Sequence, residues 1–244
     1  MENPRFFVDS ENQDSDSITI SGEEFIHLNS VLRLKPADEI EVCIGDGMVQ
    51  KCVLVEVGKR QAIAKVLGKV KQKPILPHVT LFLALTKSER MDWAVQKCVE
   101  LGVYRIVPFE SKYCTVKDKG NKTDRLNRIA IAACKQSGLA YLPKIENTVS
   151  FEKLLSMVKD NPQTIVAYER ATQNAKDVLL KLASDKEVAI IIGSEGGFSL
   201  DEVEALKNAG AKVISLGETI LRVETACVAL LSAIMYEMNN WERT

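Results

Sequence analysis

Hydrophobic and polar positions change rhythm once along this chain, near residue 72. Before it the period is two. Ile40-Glu-Val-Cys-Ile44 alternates apolar and polar residues, Asp46-Gly47 offers a hairpin turn, and residues 49–57 return. Ala62, Ala64 and Val66 repeat the alternation within residues 61–70. One short helix, about residues 22–31, interrupts the strands. Several short strands at this spacing predict a small β-barrel. Lys71-Gln-Lys-Pro-Ile-Leu-Pro77 reads as a proline-marked linker.

After the linker the apolar runs become continuous and alternate with helical patterns. Residues 79–85 read as a buried parallel strand. A helix follows over about residues 88–101, with Met91, Val95 and Cys98 on one face. Glu89, Asp92, Gln96 and Glu100 lie on another face, and Gly102 stands at the end. Residues 105–109 form the next strand. Leu126, Ile129, Ala130, Ala133 and Cys134 form a second helical stripe. Strands at 164–168, 188–192 and 213–216 alternate with further helices. Ser199-Leu-Asp-Glu202 has the form of a capping box opening a helix to Ala209. The alternation predicts one α/β domain with a parallel sheet. The chain divides on this reading into residues 1–72 and 73–244.

The last helix, about residues 225–241, is apolar nearly all round. From Ala226 to Met238 only Ser232 and Glu237 are polar. Such a helix is buried on more than one side, in a core or against a second subunit.

Candidate chemistry concentrates in two glycine loops. The first is Ile192-Gly193-Ser194-Glu195-Gly196-Gly197-Phe198-Ser199. The second is Leu216-Gly217-Glu218-Thr219-Ile220-Leu221-Arg222-Val223-Glu224-Thr225-Ala226. Each follows an apolar run and precedes a helical pattern. This puts both at the carboxyl ends of neighbouring parallel strands, where ligands bind. No lysine follows Gly197, so a phosphate-binding P-loop is excluded, and the dinucleotide spacing Gly-x-Gly-x-x-Gly is absent. Glu195 would repel a phosphate. It suits a cationic or hydroxyl-rich ligand.

Net charge changes the picture only locally. The total is −1 over 244 residues, 46% of them hydrophobic. Residues 1–24 carry seven acids against Arg5, whereas residues 51–73 carry seven Lys and Arg against Glu56. Residues 112–128 carry six bases and two acids. Such basic patches suit a polyanion. Six cysteines without a Cys-x-x-Cys, and only His27 and His78, indicate neither a zinc site nor a disulfide scaffold. No metal is expected. Met1-Glu-Asn-Pro-Arg5 is polar, and no run reaches the ~18 to 20 apolar residues of a bilayer span. A cytoplasmic protein in a reducing compartment is expected.

The two loops closely resemble the second and third motifs of the SPOUT methyltransferases, the knotted S-adenosylmethionine-dependent RNA methylases. Within that superfamily the chain resembles the family that methylates N3 of a uridine in small-subunit (16S) ribosomal RNA. The resemblance spans nearly the whole chain. It includes Arg5-Phe-Phe-Val, His27-Leu-Asn-Ser-Val-Leu-Arg-Leu-Lys35 and Gln136-Ser-Gly138. It also includes Lys87-Ser-Glu-Arg-Met-Asp-Trp-Ala-Val-Gln-Lys-Cys-Val-Glu-Leu-Gly102.

The resemblance implies a PUA-like barrel followed by a SPOUT domain with a trefoil knot, and a homodimer joined through the C-terminal helix. It implies S-adenosylmethionine as cofactor, held by Gly193, Glu195, Gly196, Gly197, Leu216, Gly217, Ile220, Leu221 and Thr225. Arg222 is the implied catalytic residue. Its guanidinium would stabilise negative charge on the uracil as N3–H loses its proton. It stays protonated and is no general base. Glu224 is a conceivable proton acceptor or part of a helix cap. Arg5, His27, Arg33 and Lys35 match family positions that could grip phosphates, and Lys87 and Arg90 stand near the expected cleft. Small-subunit ribosomal RNA is the implied partner. Three positions depart from the family pattern. Ser194 replaces a usual proline, and Thr219 and Leu139 replace common arginines. Other readings are a SPOUT enzyme acting on another RNA, a non-catalytic RNA-binding factor, and, distantly, a nucleotide-dependent oxidoreductase.

Overall fold

The computed structural model describes residues 3–12, 16–118, 120, 122–161, 163–183 and 187–238. The chain forms two compact units. One comprises Met1–Pro74 with Cys134–Leu142, the other Ile75–Ala133 with Pro143–Thr244.

The first unit contains β1 (Arg5–Phe7), a 3-10 turn (Ser10–Asn12), β2 (Ser17–Ser21), α1 (Gly22–Ile26) and a π-helical turn (His27–Val31). The strands β3 (Glu39–Cys43), β4 (Met48–Val57) and β5 (Gln61–Lys71) follow. They hydrogen-bond in the order β1-β3-β4-β5-β2. Only β1 and β3 run parallel. Two register shifts interrupt β4 against β5, and such bulges bend a strand and raise its twist. The period-two pattern does its work here. Inward residues from all five strands, among them Phe6, Ile18, Ile40, Leu54 and Ala64, share one core with Phe25 and Leu28.

Residues 134–142 also belong to this unit, which the hydrophobic pattern did not foresee. The turn between β3 and β4 receives them closely. The Gly47 N–H donates to the Ala140 carbonyl at 3.0 Å, and Leu142 N–H to the Gly45 carbonyl at 3.0 Å. A Cβ on Gly47 would lie 2.1 Å from the Tyr141 ring, so this turn needs glycine for close approach as well as for its φ of 89°.

The second unit contains β6 (Val79–Ala84), α2 (Ser88–Glu100), β7 (Arg105–Phe109), most of α3 (Lys122–Ser137) and β8 (Lys144–Ile145). It continues with α4 (Phe151–Lys159), β9 (Thr164–Ala167), α5 (Ala175–Leu179), β10 (Val188–Ile192), α6 (Leu200–Asn208), β11 (Lys212–Ile214) and α7 (Val223–Glu237). Six parallel strands pair in the order β11-β9-β10-β6-β7-β8. Alternate positions, such as Phe82, Val107, Val166 and Ile191, pack with Leu154 of α4 and Val203 of α6. On the other side α7 packs against α2 and β10.

The two glycine loops do not follow neighbouring strands as expected. β9 lies between β10 and β11. Strand order in a parallel sheet is set by which crossover each helix makes, and apolar runs carry no record of that. The capping box at Ser199 forms in full: Glu202 N–H donates to Ser199 Oγ at 3.3 Å, and Ser199 N–H to Glu202 Oε2 at 2.9 Å. The last helix starts two residues before the expected position. It is described to Glu237, and expected residues 239–241 lie outside the described residues. Val223, Ala226, Cys227, Leu230, Leu231, Ile234 and Met235 are buried, while Thr225, Ala229 and Tyr236 are exposed. Among the described residues no helix is long and apolar enough to cross a membrane.

Candidate functional site

A cleft of about 380 Å³ opens where β9, β10 and β11 end. This is within the ~300 to 1,000 Å³ range of small-molecule sites. Gly193, Glu195, Gly196, Gly197, Leu216, Gly217, Ile220, Leu221 and Arg222 all line it, so both loops meet in one place. Arg90 reaches the same cleft from α2. Thr225 does not line it, and Lys87 does not either.

The first loop is a tight turn. Gly197 N–H donates to the Ser194 carbonyl at 2.9 Å, with Gly197 at φ 67°. This left-handed conformation disfavours any side chain. At Gly196 a Cβ would lie 2.7 Å from Tyr113 Cβ and 3.2 Å from the Tyr113 carbonyl oxygen. The second loop is looser. Gly217 sits at φ 120°, and its N–H donates to Ser215 Oγ at 3.2 Å. Ile220 is 83% exposed, so it is not core.

Charge is arranged around the first loop. Arg90 Nη1 donates to Glu195 Oε1 at 3.1 Å, and Lys87 N–H donates to the same oxygen at 3.5 Å. Burial would raise the Glu195 carboxyl. The neighbouring Thr86 hydroxyl, the backbone N–H groups of Glu195 and Lys87 and the Arg90 charge together outweigh it and hold the group below its ordinary value. Ser194 Oγ is buried in the cleft wall with no hydrogen-bond partner among the described residues. A ligand hydrogen bond there would relieve a desolvation cost of about 1–3 kcal/mol.

Arg222 is the N-cap residue of α7, extended at φ −67° and ψ 156°. Its backbone carbonyl accepts from Ala226 N–H at 2.8 Å, which fixes the residue while the side chain stays exposed. Among the described residues its guanidinium has no ion-pair or hydrogen-bond partner. Glu224 Oε2, two residues on, is buried and likewise unpartnered among the described residues.

Residues that sequence reasoning missed come from β9. Tyr168 and Glu169 line the cleft at the end of this middle strand. The signal was present, since residues 168 and 169 come straight after a buried parallel strand, but no glycine motif marks them.

The expected RNA residues of the first unit divide into two kinds. Arg33 and Lys35 are exposed, Arg33 at a left-handed φ of 54°. Arg5 is only 14% exposed. Its guanidinium donates to Glu41 Oε2 at 2.7 and 3.1 Å and also to the Gly138 carbonyl. It clamps β1 to β3 and to the 134–142 segment. His27 lies beside Lys135 Nζ at 3.4 Å and against the Phe6 ring at 5.9 Å. Burial first, then the Lys135 charge, lower its imidazole below 6.5, with Glu24 opposing. Lys135 is in turn held by Glu24 at 2.7 Å. These two positions carry internal contacts, and the sequence could not show their polar partners, which lie 36 and 133 residues from Arg5 and 108 from His27.

Two family models match the chain: an RNA methyltransferase PUA domain over residues 20–67 and an RNA methyltransferase domain over residues 71–235. Ribosomal RNA small subunit methyltransferase E of Bacillus subtilis is 32% identical, with 96% of each chain covered. The chain belongs to the ribosomal RNA small subunit methyltransferase E family. The crystal structure of the Neisseria gonorrhoeae methyltransferase E bound to S-adenosyl methionine is 28% identical. It has a TM-score of 0.87 over 96% of this chain and 98% of that one. A Legionella pneumophila methyltransferase in complex with the bound cofactor SAM is 26% identical, with a TM-score of 0.88 over 97% and 98%. The methyltransferase E family thus accounts for both units, the PUA-like strands and the parallel sheet.

Proposed function

We propose that this chain transfers a methyl group from S-adenosylmethionine to N3 of a uridine in small-subunit ribosomal RNA. The observation that carries the reading is the meeting of both glycine loops in one cleft with Arg222 in its lining. Family membership and the cofactor-bound relatives support it.

The cleft fits the cofactor on its own chemistry. The backbone of residues 193–197 and 216–221 would hold the adenosine, with Ile220 and Leu221 against its ring. Ser194 Oγ offers a donor without a protein partner among the described residues, and Glu169 and Glu195 suit hydroxyl and cationic groups. When bound, S-adenosylmethionine supplies an activated methyl on a sulfonium, and the protein supplies orientation and electrostatics. Arg222 would hold positive charge against the uracil carbonyl oxygens as N3 gives its proton to water and takes the methyl, the methyl–sulfur bond breaking to leave a neutral thioether. N3 lies on the Watson–Crick edge, so the uridine is taken single-stranded or flipped out.

Arg33 and Lys35 on the first unit, and Lys87 on the second, contact phosphates, while Arg5 and His27 keep the first unit in shape. The 193–198 and 215–222 segments form the crossing of a trefoil knot. A homodimer forms through the less covered face of α7, where Thr225, Ala229 and Tyr236 are exposed. The test is transfer of labelled methyl to unmodified small ribosomal subunits, with the product nucleoside identified by mass. N3-methyluridine is expected. A different methylated base, or none, overturns the assignment. Sedimentation at micromolar concentration should give about twice the 27.1 kDa chain mass.

A further inference from the structure

The loop after β7 is built against the first glycine loop, yet it does not line the cleft. We infer that Tyr113 is a stacking platform for a nucleobase of the RNA substrate, with Lys112 and Lys117 contacting flanking phosphates. This rests on the RNA-methylating function proposed above.

Four observations carry it. Tyr113 is 45% exposed although its loop is held firmly. Lys112 N–H donates to Glu202 Oε1 at 2.8 Å, Cys114 N–H to the Ser111 carbonyl at 3.1 Å, and Ser111 N–H to Cys114 Sγ at 3.3 Å. At its far end Asp118 bonds Thr148, and Asp118 N–H donates to Glu110 at 3.4 Å. A fixed loop presenting an exposed ring has already met the ordering cost that stacking would otherwise incur.

The second observation is which part of Tyr113 touches the protein. A Cβ added at Gly196 would meet Tyr113 first at its Cβ (2.7 Å) and carbonyl oxygen (3.2 Å), with Cγ farther at 3.5 Å, so it is the root of the side chain that faces the glycine loop. The rest of the ring has no hydrogen-bond or ring partner among the described residues. The third is position. Gly196 directly follows Glu195, which holds Arg90 and the Lys87 N–H, so the ring stands at the turn that walls the cleft. The last is charge. Lys112 and Lys117 are exposed on the same loop, Lys112 only loosely paired with Asp201 at 3.8 Å. An exposed aromatic between cations is how proteins hold single-stranded RNA: bases stack on the ring, and lysines meet the phosphates. A uridine presented for methylation leaves its neighbours unstacked, and Tyr113 offers one of them a replacement.

The test uses the full chain and unmodified small-subunit RNA transcribed in vitro, with affinity measured across salt concentration. Tyr113→Ala keeps the Cβ that packs on Gly196, so cofactor affinity by calorimetry stays within about twofold. RNA affinity falls on the order of 5- to 100-fold. The slope of log affinity against log salt is unchanged, because no phosphate contact is lost. Lys112→Ala and Lys117→Ala instead each reduce that slope by about one. Tyr113→Phe binds like the wild type, since stacking needs the ring and not the hydroxyl. Wild-type RNA affinity in Tyr113→Ala, or loss of cofactor affinity in its place, overturns the stacking role alone. Absence of RNA binding and methyl transfer in the wild type overturns the underlying function, and the platform with it.

Discussion

Arg90 Nη1 lies 3.1 Å from Glu195 Oε1, and this pair ties the first turn of α2 to the first glycine loop. Both side chains are partly exposed, so the pair contributes little to global stability, about 0–1 kcal/mol. Its effect is local: it sets where the 194–197 turn stands against the cleft. Arg90→Ala should therefore shift the melting temperature by no more than about 4 °C. Cofactor affinity by calorimetry should fall roughly tenfold. The pH dependence has a definite sign. The folded Glu195 carboxyl is held below 4.5, so its contribution is complete above that value and is lost as pH falls through the folded one. The affinity plateau of the wild type should extend to lower pH than that of Arg90→Ala. Identical acid limits would show that the pair does not hold the loop.

Gly196 and Gly197 need glycine for different reasons, and substitutions separate them. Alanine at Gly196 meets Tyr113 Cβ at 2.7 Å and its backbone oxygen at 3.2 Å, so the two loops must move apart. Alanine at Gly197 has ordinary space, with Glu169 oxygens at 3.5 Å, but must adopt φ 67° at a cost of about 1–2 kcal/mol. Gly196→Ala should abolish measurable cofactor binding. Gly197→Asn should keep more of it than Gly197→Ala, since asparagine tolerates the left-handed region. Equal losses in calorimetry would contradict this division.

Much of this was legible in the sequence because it is local. The capping box at Ser199, the strand at 188–192 and the stripe of α2 are each set by neighbours within a few residues. The two glycine loops were legible for the same reason. Their meeting place was read one strand too close, because β9 inserts between β10 and β11 and periodicity does not encode strand order. Arg5 shows the other limit. Its motif suggested a phosphate contact, but Glu41 and Gly138 claim its guanidinium from 36 and 133 residues away. Glu169 and Tyr113 carry no motif. Each acquires meaning only from what the fold sets beside it.

The six cysteines differ sharply in their surroundings, which gives a direct test of the packing. Cys43, Cys52, Cys98, Cys134 and Cys227 are buried, and only Cys114 is partly exposed. Burial pushes the thiols of Cys43 and Cys52 up to about 11 and that of Cys134 to about 12. A hydrogen bond with Cys98, then burial, also raises the Cys227 thiol well above its ordinary value. The thiolate is the reactive form, so these groups are inert near neutrality. Titration of the folded protein at pH 8 with a thiol-disulfide reagent should give one fast-reacting group, lost in Cys114→Ser. Denaturant should release all six. Two or more fast groups in the native protein would place one of the buried helices or strands differently.

Arg222 separates an enzyme from a binding protein. It lines the cleft, is fixed at the backbone by the start of α7, and leaves its guanidinium without a protein partner among the described residues. In the reaction proposed above, a cation placed so would act on charge that develops only as the uracil loses its N3 proton. Removing an interaction made chiefly in the transition state lowers rate more than affinity. Loss of one preorganised donor costs on the order of 100- to 1,000-fold in rate. Arg222→Ala should keep cofactor affinity within a few-fold and lose most single-turnover methyl transfer to small ribosomal subunits. Arg222→Lys should recover only part, since a point charge does not reproduce the planar fork. A rate in Arg222→Ala equal to the wild type would remove this residue from the chemistry. A parallel loss of cofactor affinity would make it a binding residue instead.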